Sequence, residues 1–197
     1  MVATIPAVSR AARGHRLVPI AFAHLVGSSM GGAVIGSALG LIGLPLALHV
    51  GEKRGLIIGS VALIFALGEF GILKVPRPQR HKQVPAGWRV RFPPEIVAGM
   101  YGAILGTGVM TPIWFATLYV MLVWMSLSGN LVLSAVIGAT YGATRAVPPI
   151  LTAGFIHGPE QALRFGAALG RRTRYVTLST GIMLMGVGAI SLLVAAR

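Results

Sequence analysis

Five stretches of this chain are apolar over the length that an α-helix needs to cross a bilayer, and they leave little sequence for anything else. They cover residues 17–50, 55–73, 96–127, 130–156 and 175–196. About 20 apolar residues carry a helix across about 30 Å of hydrocarbon. Only Glu69 in the second run and Arg145 in the fourth interrupt them with a full charge. Composition agrees, with 55% of residues hydrophobic and 11% charged, against roughly 25% charged in an average soluble domain. The 27 glycines and 12 prolines would disfavour long helices in water, but membrane helices packed on one another tolerate both. The expected fold is all-α: a single integral membrane domain over residues 1–197, with about five transmembrane helices.

The first and third runs exceed the bilayer by about 20 Å at 1.5 Å per residue. Each must tilt, project or break, and a break is the favoured solution. In the third run Gly106, Gly108, Thr111 and Pro112 loosen a helix and then remove an amide donor, so an interruption is expected between Gly106 and Pro112. In the fourth, the consecutive Pro148 and Pro149 withdraw two donors and free carbonyls near Thr144 and Arg145, marking a second break or kink. In the first, Gly27 and Gly31, and then Gly32, Gly36 and Gly40, recur every four residues. That spacing lines one helix face with small residues and lets a neighbouring backbone approach.

Charge sets the expected orientation. Seventeen Lys and Arg stand against four acids, and alternating the segments between runs places thirteen basic residues on the N-terminal side and three on the other. The N-terminus is therefore expected in the cytoplasm and the C-terminus outside, in a plasma membrane. The basic residues flank apolar runs, so the implied partners are the bilayer and anionic lipid headgroups rather than nucleic acid. Residues 74–95 hold five prolines and read as an extended cytoplasmic segment with Trp88 and Phe92 at the interface. Residues 157–174 read as a short helix lying on the membrane surface.

Chemistry is sparse. The chain has no Cys, which removes disulfides and thiolate metal sites. It has no Asp for a Ser/His/Asp triad, no His pair at the four-residue spacing of a zinc helix, and no phosphate-cradling Gly-Lys-Ser/Thr loop. No catalytic residue, cofactor or metal is expected, and the chain is not read as an enzyme. Ionisable groups inside a span are costly and are functional candidates by default, which singles out His24, Glu69 and Arg145. Their expected depths from the cytoplasmic face are roughly 10, 6 and 16 Å. One reading pairs Glu69 with Arg145 and makes His24 a third partner. In the other, Glu69 reaches the interface, His24 bonds a backbone carbonyl and Arg145 extends its stem to the headgroups.

Residues 98–151 contain GMYGAILGTGVMTPIWFATLYVM, a polar turn at 126–130, and LVLSAVIGATYGATRAVPPIL. This segment resembles the second half of CcdA/DsbD-like membrane proteins, and residues 21–48 look like that family's second helix. The resemblance implies a polytopic scaffold from a class of small transporters. That family works through two intramembrane cysteines, which this chain lacks, so the resemblance implies the scaffold without the thiol-disulfide activity. The expected function is a secondary transporter of a small solute or ion, its path lined by the Gly106–Pro112 break, Arg145, and Glu69 or His24. The alternative is a non-catalytic accessory or structural subunit whose glycine faces dock another membrane protein or a second copy.

Overall fold

In hydrocarbon every backbone donor needs an acceptor within its own segment, and the α-helix provides one four residues back. The computed structural model describes residues 17–76, 88–108, 116–155 and 159–196, and all regular structure among the described residues is helical. The elements are α1 (Leu17–Ile42), α2 (Leu44–Val50), a 3-10 turn (Gly51–Lys53), α3 (Arg54–Glu69), α4 (Trp88–Arg91), α5 (Pro94–Thr107), α6 (Thr117–Leu127), α7 (Leu131–Phe155) and α8 (Pro159–Ala195).

The burial pattern is inverted relative to a helix in water. Along α1, Ile20, His24, Ser28, Gly32, Gly36 and Gly40 are buried, while Val18, Phe22, Val26, Met30 and Val34 are 37% to 74% exposed. Small or polar residues inside and large apolar ones outside suit helices that meet lipid. Residues 17–42 and 170–195 are long and apolar enough to cross a membrane, with only 28% and 17% of their most apolar stretches buried. So little burial separates them from the core helix of a soluble protein.

The chain forms two compact units. The first comprises residues 1–35, 79–112 and 135–170, and the second residues 36–78, 113–134 and 171–197. In the first, α1 meets α5 and α7 backbone to backbone. An added Cβ on Gly27 or Gly31 would fall on the carbonyl of Gly99 or Ala103, and one on Gly102 or Gly106 on the carbonyl of His24 or Ser28. These numbers rise together, so α1 and α5 run parallel. On the other face Gly32 meets Gly138 and Gly142 meets Ser28, so α7 is antiparallel to α1. The Ser28 hydroxyl closes this contact by donating to the Gly142 carbonyl at 2.6 Å.

The second unit is built around Ala62, Ala66, Ala116, Val120 and Leu184. Here the Phe65 and Tyr119 rings stack at 5.3 Å. Gly59 faces Leu192, Gly188 faces Leu63, and Gly181 faces Phe70, which makes α3 and α8 antiparallel.

Several expectations are corrected. α7 runs unbroken over 25 residues with Pro148 and Pro149 inside it. Adjacent prolines forfeit only their own two ladder bonds, and their φ is already helical. α8 is one helix of 37 residues, in place of a short surface helix and a separate span, because nothing stronger than a lone glycine interrupts it. The first run does divide, at Gly43 between α1 and α2, although the Gly43 amide still bonds Leu39 O at 2.8 Å. Trp88 opens a helical turn within the segment expected to be extended, and packs edge-on against Tyr101 at 6.3 Å. In the third run α5 stops at Thr107, with Gly108 in the left-handed region at φ 70°. Thr111 and Pro112 lie outside the described residues. The 14 residues of α5 and 11 of α6 span about 21 and 17 Å, each short of a bilayer.

Gly106→Val and Gly142→Val are each expected to cost about 1–3 kcal/mol by overpacking, read as a lowered thermal midpoint in detergent. Gly186, which has nothing within 4 Å of an added Cβ, is the control: Gly186→Ala should match or slightly exceed the parent. A Gly106→Val protein as stable as the parent would rule out the backbone contact.

Candidate functional site

α3 ends in a Schellman motif, with Gly71 at φ 77°, the Ile72 amide donating to Leu67 O at 3.0 Å and the Gly71 amide to Gly68 O at 3.2 Å. This stop fixes Glu69 in the last turn, where it is 8% exposed. Glu69 Oε1 accepts a hydrogen bond from the Ala116 amide at 2.7 Å. Ala116 is the N-cap of α6, wholly buried and with no side-chain cap of its own. The carboxylate therefore does what the Glu of a capping box does for an N-cap amide, and does it from another helix, against the positive end of the α6 dipole.

The opposite end of α6 is held in the same way. Arg54, the first residue of α3, donates through Nη1 to the carbonyl of Ser128, the C-cap of α6, at 3.3 Å, and through Nε to Gly51 O at 2.9 Å. A cation thus meets the negative end of α6 while an anion meets the positive end. For the dipole of α3 itself both charges stand at the wrong ends; for an antiparallel α6 both are right. Sequence reasoning counted Arg54 only as a topology charge. The legible signal was its order relative to Glu69, a basic start and an acidic end on one apolar helix. The 16 residues of α3 rise about 24 Å, enough for its two long side chains to reach around the shorter α6.

Past Ser128 the chain turns at Gly129, φ 64°. Asn130 Oδ1 accepts the Leu133 amide at 3.0 Å and starts α7. Ser134 Oγ lies 2.7 Å from Ser128 Oγ and donates to Met125 O at 2.8 Å.

His24 and Arg145 belong to the first unit. His24 is 2% exposed, and its Nδ1 lies 3.1 Å from the Ala98 carbonyl of α5. A carbonyl only accepts, so Nδ1 carries the proton and Nε2 is left as an acceptor. That Nε2 is buried, without a hydrogen-bond partner among the described residues. Arg145 is half-buried; its Nη1 donates to the Tyr141 hydroxyl at 2.9 Å and its guanidinium carbon lies 5.5 Å from that ring's centroid. His24 is thus fastened to α5 and Arg145 to its own helix, while Glu69 serves α6 in the second unit. Of the residues expected at the break, Gly106 packs on Ser28, Gly108 ends α5, and Pro148 and Pro149 stay within α7. Among the described residues no three His, Cys, Asp or Glu side chains gather as a metal site.

The chain is 32% identical over 167 residues to the methylamine utilization protein MauF of Paracoccus denitrificans, covering 84% of this chain and 59% of that protein. It is 30% identical to MauF of Methylorubrum extorquens over 92% of this chain and 62% of that protein. A third relative, MauF of Methylophilus methylotrophus, is 30% identical over 90% and 61%. The chain thus spans about 60% of the length of the curated relatives it matches. No family model and no solved structure matches it.

These relatives overturn the CcdA/DsbD resemblance, which rested on a texture of glycine and proline that any closely packed membrane helices share. They also overturn the solute transporter. The geometry agrees with that correction. The N-terminus of α6 is the kind of place where a broken membrane helix offers its amides to an anionic substrate, and here the carboxylate of Glu69 already fills it.

Glu69→Ala is expected to lower stability by about 2 kcal/mol, the scale of a hydrogen bond to a charged group. Added formate, small enough to replace the missing carboxylate, should recover part of the thermal midpoint, whereas chloride at equal ionic strength should recover less. If Glu69→Ala melts with the parent, the carboxylate is no cap.

Proposed function

We propose that the chain is a multi-pass membrane accessory protein of methylamine utilization, akin to the proteins named MauF, with no catalytic step of its own. The observation that carries this reading is the 30% to 32% identity to those proteins over 84% to 92% of the chain. In the same reading the conspicuous ionisable residues serve as helix fasteners: Glu69 and Arg54 on α6, His24 on α5 and Arg145 on Tyr141.

The membrane arrangement proposed is five crossings, with the N-terminus cytoplasmic, α5 and α6 being the two halves of the third. Helix directions support it. α1 is parallel to α5 and antiparallel to α7, as the first, third and fourth of alternating crossings would be. α3 is antiparallel to α6 and to α8, as the second must be to the third and fifth. The thirteen-to-three division of basic residues supports the same sidedness. Gly27, Gly31 and Gly32 of α1 already pack on α5 and α7 within the first unit, so a partner protein or second copy would meet the apolar ridge of Phe22, Val26, Met30 and Val34 instead.

Deleting the coding sequence from its host should abolish growth on methylamine as sole nitrogen source and leave growth on ammonium intact, with re-expression restoring it. A deletion strain growing on methylamine at the parental rate overturns the reading. Reporter fusions after residues 85 and 197 should report opposite sides of the membrane; one shared side rejects the five-crossing arrangement.

A further inference from the structure

Two basic elements emerge at one end of the second unit. Gly181 of α8 packs against Phe70 and Glu69 at the end of α3. Arg174 precedes Gly181 by two helical turns on the same face, so it stands beyond the point where α3 stops. Lys74 follows α3 out at that end. Lys74, Arg171, Arg172 and Arg174 are all exposed, whereas Glu69 is buried with Oε1 on the Ala116 amide. Adjoining the cations, Tyr175 is 76% exposed, Ile72 68% and Ile182 66%. The surface passes from cations through a phenol to bare hydrocarbon within about three turns of α8.

We infer that this end of the second unit binds the phosphodiester headgroup of an anionic phospholipid, with Lys74 and Arg174 approaching it from two elements. Arg171 and Arg172 add positive field, and the acyl chains follow Ile72 and Ile182. The inference rests on the membrane reading above and names the lipid that reading leaves general. Guanidinium donors form a rigid fork that matches phosphate oxygens, and an interfacial tyrosine fixes the depth at which a headgroup sits. An acidic protein segment would satisfy the cations alone, whereas the surface next to them calls for a ligand that is anionic at one end and apolar at the other.

The full chain, purified with equal phosphatidylglycerol and phosphatidylcholine, should retain the former preferentially in native mass spectrometry. Lys74→Gln and Arg174→Gln should each reduce that preference about fivefold, the contribution of one basic residue at an anionic surface. Lys53→Gln, the same charge change beside the other end of α3, should keep the parental preference. Equal retention of the two lipids, an equal loss in Lys53→Gln, or the same thermal stabilisation by soluble glycerol phosphate as by phosphatidylglycerol overturns the site. A chain stripped from membranes by alkaline carbonate overturns the membrane reading along with it; a chain that stays integrated without lipid preference overturns the site alone.

Discussion

A backbone N–H or C=O without a partner in hydrocarbon costs several kcal/mol, and helix ends are where a membrane chain must meet that cost. α6 shows how it is met here. Only 11 residues long, it is too short to carry both ends out to water if it lies across a bilayer. Its first amide goes to Glu69 and its terminal carbonyl to Arg54. One neighbouring helix supplies both charges, and the core of Ala62, Ala66, Ala116 and Val120 is arranged around the contact. Charges so placed neutralise helix-end dipoles, which offsets part of the cost of removing them from water.

The first unit answers a different need. Apolar side chains gain little by leaving lipid for one another, so close van der Waals contact and interhelical hydrogen bonds must hold the helices. The Ser28 carbonyl is approached by both Gly106 and Gly142, and the Ser28 hydroxyl bonds the Gly142 carbonyl. Each close approach depends on a missing Cβ in a different helix. The arrangement is sensitive to single methyl groups because the opposing atoms belong to backbone, which cannot rotate away.

Much of the helical fold was legible because its signals are local. Apolar runs announce helices, and the four-residue spacing of Gly27, Gly31, Gly32, Gly36 and Gly40 announces a packed face. Pro148 and Pro149 do not end α7, which continues through them to Phe155, because each forfeits a single ladder bond in a helix that neighbouring bonds still hold. The partner of Glu69 was not legible at all: it is the amide of an alanine, a group every residue but proline carries. Arg54 was visible but read for topology; the basic start and the acidic end at Glu69 set α3 against its own dipole, a local signal that does not name the helix answering both charges. The family texture failed for a related reason, because glycine and proline report how closely backbones pack and say nothing of the chemistry between them.

The Arg54 and Glu69 contacts span 74 and 47 residues of sequence, and that distance bears on how the molecule is made. A chain emerging from its amino terminus delivers α3 well before α6. Until α6 follows, α3 holds a cation at its positive end and an anion at its negative end, a helix opposed by its own charges and poorly suited to settle alone. Contact with α6 relieves that opposition at both ends together, because one neighbour receives both charges.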